Sequence, residues 1–175
     1  MRSLIILLFL LSFNVAKAET KIAILDVKEI ISESIAAKKA SQKLKSKLSE
    51  YQLEIDLKSS KLKKEQEKLQ EQSSLLTQEA LQTKQAEFVE KIKSLELEVN
   101  KKKQNIDAIN LKVIAEIEEN IDIIVQKIAK NNNINIVLSK SDIIYVNNIE
   151  NITDLVVEEL NKNLSDIKIN FEDGK

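Results

Sequence analysis

The ionisable side chains of this sequence are almost all carboxylates and amines. Its 175 residues include 28 Asp and Glu, 27 Lys and Arg, no His, no Cys, and a single Gly, Gly174. This composition excludes the usual zinc sites, thiol nucleophiles and His-assisted serine chemistry, and it leaves no glycine-rich loop to cradle a phosphate. The remaining chemistry is charge pairing on helix faces, as expected for Glu87 with Lys91 and for Glu98 with Lys102 at a spacing that supports a helix.

Most of these charges lie in one long stretch of helix-forming sequence. Residues 36–130 have apolar side chains at helical spacing and contain neither Pro nor Gly. A helix of this length cannot bury one face within a small globule, so it must pair with another helix and form a rod. A hydrolase that uses two carboxylates needs a rigid concave cleft, which a rod does not offer. We therefore predict no enzyme activity, no catalytic residue, no metal site and no cofactor.

The apolar spacing has two phases within this stretch. In the first phase one row repeats every seven residues, like half of a coiled-coil seam, and it consists of Leu48, Ile55, Leu62, Leu69 and Leu76. The row that should accompany it begins with Leu44 and Tyr51 but continues as Lys58, Glu65 and Gln72. The distal part of the seam is therefore predicted to be thin.

The second phase, over residues 88–113, has the alternating three-and-four spacing of a full seam and is interrupted only by Lys102. The phase changes near residues 72–79, where Ser73, Ser74 and Thr77 are weak helix formers. Two phases predict two helices in an antiparallel hairpin, with arms of about 35 residues that reach roughly 50 Å. The alternative is one continuous helix in a long parallel dimer.

The N-terminal residues 1–18 have the pattern of a secretory signal peptide. Arg2 supplies a positive start, residues 4–13 are apolar but too few for an ordinary membrane span, and Ala16 and Ala18 form a small-x-small cleavage pattern. Cleavage is predicted before Glu19 and would release the chain into the periplasm of a bacterium. The alternative is an uncleaved anchor. Because the chain has no Cys, lipid attachment at this site and disulfides are excluded.

Short apolar runs on both sides of the rod predict a small body of strands and helices. We expect strands at 21–26, 134–138 and 143–146, since these runs are rich in β-branched residues. Residues 139–142 are expected to form the turn of a β-hairpin between the last two runs. Asn151 is expected to open a last amphipathic helix.

The predicted fold class is α+β, a small β-sheet body shared between subunits with a long antiparallel coiled-coil hairpin. Sharing is expected because a sheet of three short strands has open edges and is marginal alone. The predicted oligomer core consists of Ile22, Ile24, Ile136, Leu138 and Tyr145. The predicted segments are the signal peptide (1–18), a body segment with a strand and a short helix (19–35), the hairpin arm (36–130), a body segment with two strands and a helix (131–163), and a tail whose order is left open (164–175).

The order of these segments resembles the Skp/OmpH family of periplasmic chaperones. The resemblance covers the chain from Glu19 to Asn163 and is carried by the long helical middle and by Lys21-Ile22-Ala23-Ile24, residues 134–138, Tyr145, Ile152-Thr153 and Leu155-Val156. It implies a homotrimer whose strands share a central β body while three helical hairpins surround a cavity. It also implies an ATP-independent holdase that keeps unfolded outer-membrane proteins from aggregating and has no catalytic residues.

A holdase needs many weak contacts on an adaptable surface, with no single deep pocket. The apolar residues near the predicted tip are the candidates for client contact, namely Leu75, Leu76, Leu81 and Phe88. The alternative for the last three is that they close the core of the hairpin, whereas Leu75 lies beside the row of sevens. The alternative function is a structural spacer or tether in the cell envelope, which would need a well-packed seam throughout.

Charge distinguishes the arm from the body. Without residues 1–18 the chain has 25 Lys and Arg (27 minus Arg2 and Lys17) against 28 acids, a net charge of −3. Residues 36–103 contain 16 Lys and 11 acids, a net of +5, so the remainder is −8. A positive arm predicts attraction to acidic clients and to an anionic lipid surface through Lys58, Lys61, Lys63, Lys64 and Lys68.

The charge also bears on binding of lipopolysaccharide and of nucleic acid. Members of the family are usually basic, whereas this chain is net acidic without residues 1–18, so we assign lipopolysaccharide binding to no residue of this chain. No nucleic-acid partner is expected, because the chain is net acidic and has no aromatic residues interleaved with a basic patch.

Overall fold

The computed structural model describes residues 20–171. The predicted signal peptide and its cleavage site before Glu19 lie outside the described residues. None of the helices in the described range is long and apolar enough to cross a lipid bilayer. The elements, in chain order, are β1 (Ile22–Leu25), α1 (Val27–Glu33), α2 (Ile35–Gln72), α3 (Gln78–Asn131), β2 (Ile136–Ser139), one turn of 3-10 helix (Lys140–Asp142), β3 (Glu150–Asn151) and α4 (Thr153–Asn163).

Helices α2 and α3 form the arm, and they run antiparallel. Ion pairs across the seam join Glu54 to Lys102 and Glu65 to Lys91, so residue numbers rise along one helix while they fall along the other. The prediction of an antiparallel hairpin is therefore confirmed. The alternative of one continuous helix is wrong.

The chain reverses at residues 73–77, within the predicted range 72–79. The Thr77 hydroxyl accepts a hydrogen bond from the backbone N–H of Ala80 (3.3 Å) and caps the start of α3. Helix α2 has 38 residues and α3 has 54, which corresponds to roughly 57 and 81 Å. The extra length of α3 lies beside the body, where Ile121, Ile124 and Ile128 are buried in the core.

The sheet differs from the predicted β-hairpin. Its strand order is β2-β1-β3, and both neighbours pair with β1 in parallel. Because β2 and β3 lie on opposite sides of β1, the chain must cross over between them, which a tight turn cannot achieve. The predicted turn is instead the start of that crossover, at Lys140–Asp142. The expectation of a strand at 143–146 is wrong, since the third strand is Glu150–Asn151.

The two faces of the sheet have different surroundings, because successive side chains in a strand alternate. Ala23 and Leu25 of β1 are buried in the core that the sheet forms with the helices. That core also contains residues from α1, α3 and α4, including Ile30, Ile117, Ile121, Val156 and Leu160. The helices of this chain therefore cover one face of the sheet, and Ile22 and Ile24 alternate onto the other.

The arm is joined to the body at Ser34, which is completely buried between α1 and α2. The Ser34 N–H donates to the Ile30 carbonyl (3.0 Å), and its hydroxyl accepts from the Ala37 N–H (3.2 Å). Asn161 of α4 accepts from the first N–H of α2, that of Ile35, at 2.7 Å. These bonds satisfy both helix ends at the joint.

The tail, whose order the sequence left open, is packed over residues 164–171. Ile167 is 2% exposed and belongs to the main core. Leu164, Ile169 and Phe171 pack against the same core. The C-terminal segment therefore returns to the base of the arm.

Candidate functional site on the helical arm

The arm has a packed proximal half and a loosely packed distal half. Near the body the seam is buried, from Leu44 and Tyr51 on α2 to Ile106 and Ile109 on α3. Between these limits, over residues 52–105, no side chain is buried. This burial profile agrees with the thin distal seam that the polar second row predicts.

One long side of the distal arm is an apolar groove. It has a volume of about 550 Å³ and is open to solvent along its length. Its apolar lining comes from both helices and consists of Ile55, Leu62, Phe88, Ile92, Leu95 and Val99, and we call this surface the apolar groove. These side chains are half-buried or exposed, so the groove offers apolar contact area to another molecule.

The opposite side of the arm carries an ion-pair network of Glu54, Lys58, Glu98 and Lys102. The Lys58 Nζ lies 2.7 Å from Glu98 Oε2 and 3.0 Å from Glu54 Oε1. The Lys102 Nζ lies 2.7 Å from Glu54 Oε2 and 3.5 Å from Glu98 Oε1. Each charge therefore touches two of opposite sign, and two of the four contacts cross the seam.

The contacts of the network favour the charged forms of Glu54, Lys58 and Lys102. Hydrogen bonds from Lys102 and Lys58 lower the pKa of Glu54 to about 2. Hydrogen bonds to Glu98 and Glu54 raise the pKa of Lys58. Burial lowers the pKa of Lys102, but its hydrogen bond to Glu54 and the nearby carboxylate charges outweigh this effect and raise it. These three groups are therefore charged at neutral pH.

Tyr51 marks the inner end of the network. Its ring is buried, and the Lys102 Nζ lies 4.1 Å from the ring centroid. The Lys47 Nζ lies 4.9 Å from the same centroid. Cations placed over an aromatic face are attracted to its negative quadrupole. Tyr51 therefore connects the packed half of the arm to the charged half.

The predicted client-contact residues fall into two places. Leu75 is 84% exposed in the turn, and Leu76 and Leu81 are half-buried beside it. Phe88 is the member of this group that lines the apolar groove. Sequence reasoning missed the other groove residues as a possible site, because their heptad spacing assigned them to the seam. They could have been identified from the polar second row of α2, Lys58, Glu65 and Gln72, because it leaves the apolar row of sevens without a complete apolar partner.

The predicted arm lysines differ in exposure and in the carboxylates that lie near them. Lys61, Lys63, Lys64 and Lys68 are exposed, and Lys63 borders the apolar groove. Lys58 differs because both of its carboxylate partners lie within 3.0 Å. Its charge is compensated locally, so it adds little to the field outside the arm.

Four of the five residues predicted to form an oligomer core belong to β1 and β2 and alternate onto the face of the sheet that the helices do not cover. Ile22 of β1 pairs in register with Ile136 of β2, and Ile24 pairs with Leu138. Ile136 and Leu138 are exposed although they are large and apolar, whereas Ile24 is already buried within the chain. Tyr145 lies beyond β2 in the crossover and is exposed, as is Ile144. An oligomer through this face stays a prediction.

Within residues 20–171, no three His, Cys, Asp or Glu side chains cluster in a way that could hold a metal ion. The arm presents surfaces for apolar contact and for charge. It combines an apolar groove, a ring of compensated charges and a row of exposed amines.

Comparison with known proteins gives a matching family and similar solved structures. The model of a family described as outer membrane protein (OmpH-like) matches residues 21–160. A crystal structure from Caulobacter crescentus, of a candidate outer membrane chaperone (OmpH-like), is similar with a TM-score of 0.80 and 17% sequence identity. The similarity covers 89% of this chain and 92% of that one. Among curated proteins, none is significantly similar to the chain in sequence.

The pKa of Glu54 gives a direct test of the ion-pair network. Because that pKa is lowered from 4.5 to about 2, the stabilisation is fully present above pH 4.5 and is lost as the pH falls towards 2. We expect the carboxyl carbon resonance of Glu54 to titrate near pH 2. In the double variant Lys58→Gln and Lys102→Gln it should titrate near the ordinary value. A midpoint near 4.5 in the unmodified protein would show that the network does not form in solution.

Proposed function

The chain belongs to the OmpH-like family, and from this premise we propose that it is a chaperone of the bacterial periplasm. In this proposal it is an ATP-independent holdase that binds unfolded outer-membrane proteins between the arms of a homo-oligomer and prevents their aggregation. The similar structure from Caulobacter crescentus, itself a candidate outer membrane chaperone, supports a chaperone role. The proposal includes secretion with cleavage before Glu19 and involves no catalytic step.

The observation that carries this proposal is the apolar groove on an arm without buried side chains over residues 52–105. A protein that holds many different unfolded chains needs several weak contacts and a surface that can adapt to each. Helices held by few buried contacts undergo local opening at low free-energy cost. The distal arm therefore supplies apolar contact area on a support that can change shape.

The charge of the arm supports capture of clients. Lys61, Lys63, Lys64 and Lys68 are exposed on α2, and their positive field would accelerate encounters with acidic segments. The same amines would attract an anionic lipid surface. Both attractions weaken as salt is added, because exposed charges are screened.

The oligomer is proposed to form through the uncovered face of the sheet. Ile136 and Leu138 present a contiguous apolar surface, and the edges of β2 and β3 are available for pairing in this chain. Burying such a surface and such edges stabilises a small body more than its own core can. We propose a homotrimer, which would place three arms around a common cavity.

A spacer or tether in the cell envelope is the competing function. A spacer would hold a defined length, and the ion-pair network does join α2 to α3 across the seam. However, a rigid rod would be expected to bury apolar side chains along its whole length, which the distal arm does not do. The competing function predicts no affinity for unfolded chains.

The groove is tested by substituting the exposed Ile92 on its edge. We expect Ile92→Ser to weaken binding of an unfolded outer-membrane barrel by roughly three- to tenfold, because part of an apolar contact is lost. The matched control is Ile123→Ser, which changes an exposed isoleucine of α3 near the body, away from the groove. The measurement is suppression of aggregation on dilution from urea, at several chaperone concentrations. Equal suppression by both variants and the parent would exclude the groove as the client surface.

The oligomer is tested by placing a charge on the uncovered sheet face. Leu138→Asp should dissociate the assembly, because a carboxylate would be buried without a partner. Leu155→Asp is the matched control, since Leu155 on α4 is 45% exposed and Leu138 is 41% exposed. Sedimentation equilibrium should give a smaller mass for the first variant only. A parent protein that sediments as a folded monomer at micromolar concentration would contradict the shared sheet.

A further inference from the structure

The segment 164–171 lies beyond residues 21–160, which the family model matches. It leaves the end of α4 and returns to the basal part of α2. Its charged contacts fall on one side of that helix, where Lys39, Lys43 and Lys47 follow one another at intervals of four. The segment therefore lies along the arm and is not only a continuation of the body.

The first contact is made by Asp166 and Ile167. The Lys43 Nζ donates to both carboxylate oxygens of Asp166, at 2.7 and 3.0 Å, and lies 3.3 Å from the Ile167 carbonyl oxygen. The hydrogen bond from Lys43 lowers the pKa of Asp166. Ile167 itself is buried in the main core. This end of the segment is thus held by an ion pair on the outside and by apolar burial on the inside.

The second contact is a stack of alternating rings and amines. The Lys47 Nζ lies 5.7 Å from the ring centroid of Phe171 and 4.9 Å from that of Tyr51. The Lys102 Nζ also lies close to Tyr51, 4.1 Å from its ring centroid. The order Phe171, Lys47, Tyr51, Lys102 joins the C-terminal segment to α2 and then to α3. Through Lys102 the stack reaches the ion-pair network.

The position of this stack coincides with a change in packing. Tyr51 is the last buried residue of α2, and the side chains beyond it are half-buried or exposed as far as Gln72. Phe171, the last described residue of the segment, contacts Lys47 at the same level of the arm. A helix is expected to bend where its lateral support stops, since local stability follows the density of buried contacts.

We propose that residues 164–171 act as a strap that holds the basal part of α2 against bending and places the flexible point of the arm just beyond Tyr51. The strap stiffens the helix between the joint at Ser34 and the ring of Tyr51. It leaves the distal arm free to open. The strap is a feature of the protein without a client, so its test does not depend on the proposed function.

The strap is tested by hydrogen exchange of the full-length protein, followed by mass spectrometry. In Ile167→Ala we expect amides of residues 39–51 to exchange roughly ten- to hundredfold faster, because a buried anchor of the strap is truncated. In Phe171→Ala we expect about two- to fivefold, the scale of an exposed cation–π contact. Residues 52–72 should exchange as in the parent in both variants.

Two controls separate the strap from general stability. Asn170→Ala changes an exposed residue of the same segment and should leave exchange unaltered. Val156→Ala opens space in the body at α4 and should not accelerate residues 39–51 selectively. The inference is overturned if residues 39–51 keep the parent's exchange rate in both strap variants. It is also overturned if Val156→Ala produces the same selective acceleration.

Discussion

The packing of α2 against α3 governs the rest of the structure, because a hairpin of two helices has only one seam in which to bury apolar side chains. Where both rows of the seam are apolar, from the body to Tyr51 and Ile106, the seam excludes water. Where the second row becomes Lys58 and Glu65, ion pairs replace apolar contact across the seam. The apolar row then has no complete partner and forms one wall of the groove.

This arrangement relates the stability of the distal arm to the chemistry of its surface. Half-exposed ion pairs set the register of two helices, but they contribute little stabilisation compared with buried apolar side chains. The network of Glu54, Lys58, Glu98 and Lys102 therefore keeps the helices aligned without making the distal arm rigid. The strap adds support at the base, so that the body and the proximal arm form a stable platform. The fold in this way concentrates its flexibility in the part that carries the groove.

The arm was largely predictable from the sequence because its signals are local and repeated. The heptad row and the weak helix formers at Ser73 and Ser74 indicate a hairpin and its turn. The ion pairs were not predictable as contacts, since Lys58 and Glu98 are 40 residues apart in the sequence. The partner of each charge depends on the axial register of α2 against α3, which tertiary packing determines.

The body was predicted less well, because short apolar runs carry little information about pairing. The runs at 134–138 and 143–146 have similar composition, yet only the first contributes a strand. The third strand is positioned by its neighbours, since the Ile152 N–H donates to the Ile24 carbonyl (2.9 Å) and the Thr153 hydroxyl accepts from the Asp26 N–H (2.9 Å). The uncovered sheet face contains four of the five residues predicted for an oligomer core, because the two-residue period places Ile22 with Ile24 and Ile136 with Leu138.

In the proposed function a loosely packed distal arm lets the groove adapt to clients of different size, so stiffening the arm should impair this adaptation. The double variant Lys58→Leu and Glu98→Leu replaces one cross-seam ion pair by apolar contact, while Lys58→Gln and Glu98→Gln removes the charges without filling the seam. The leucine variant is expected to unfold about 2–4 °C higher and to hold large unfolded barrels less well than small ones. If the stiffened arm suppresses aggregation as well as the parent for clients of every size, the adaptable arm is contradicted and the groove acts as a rigid wall.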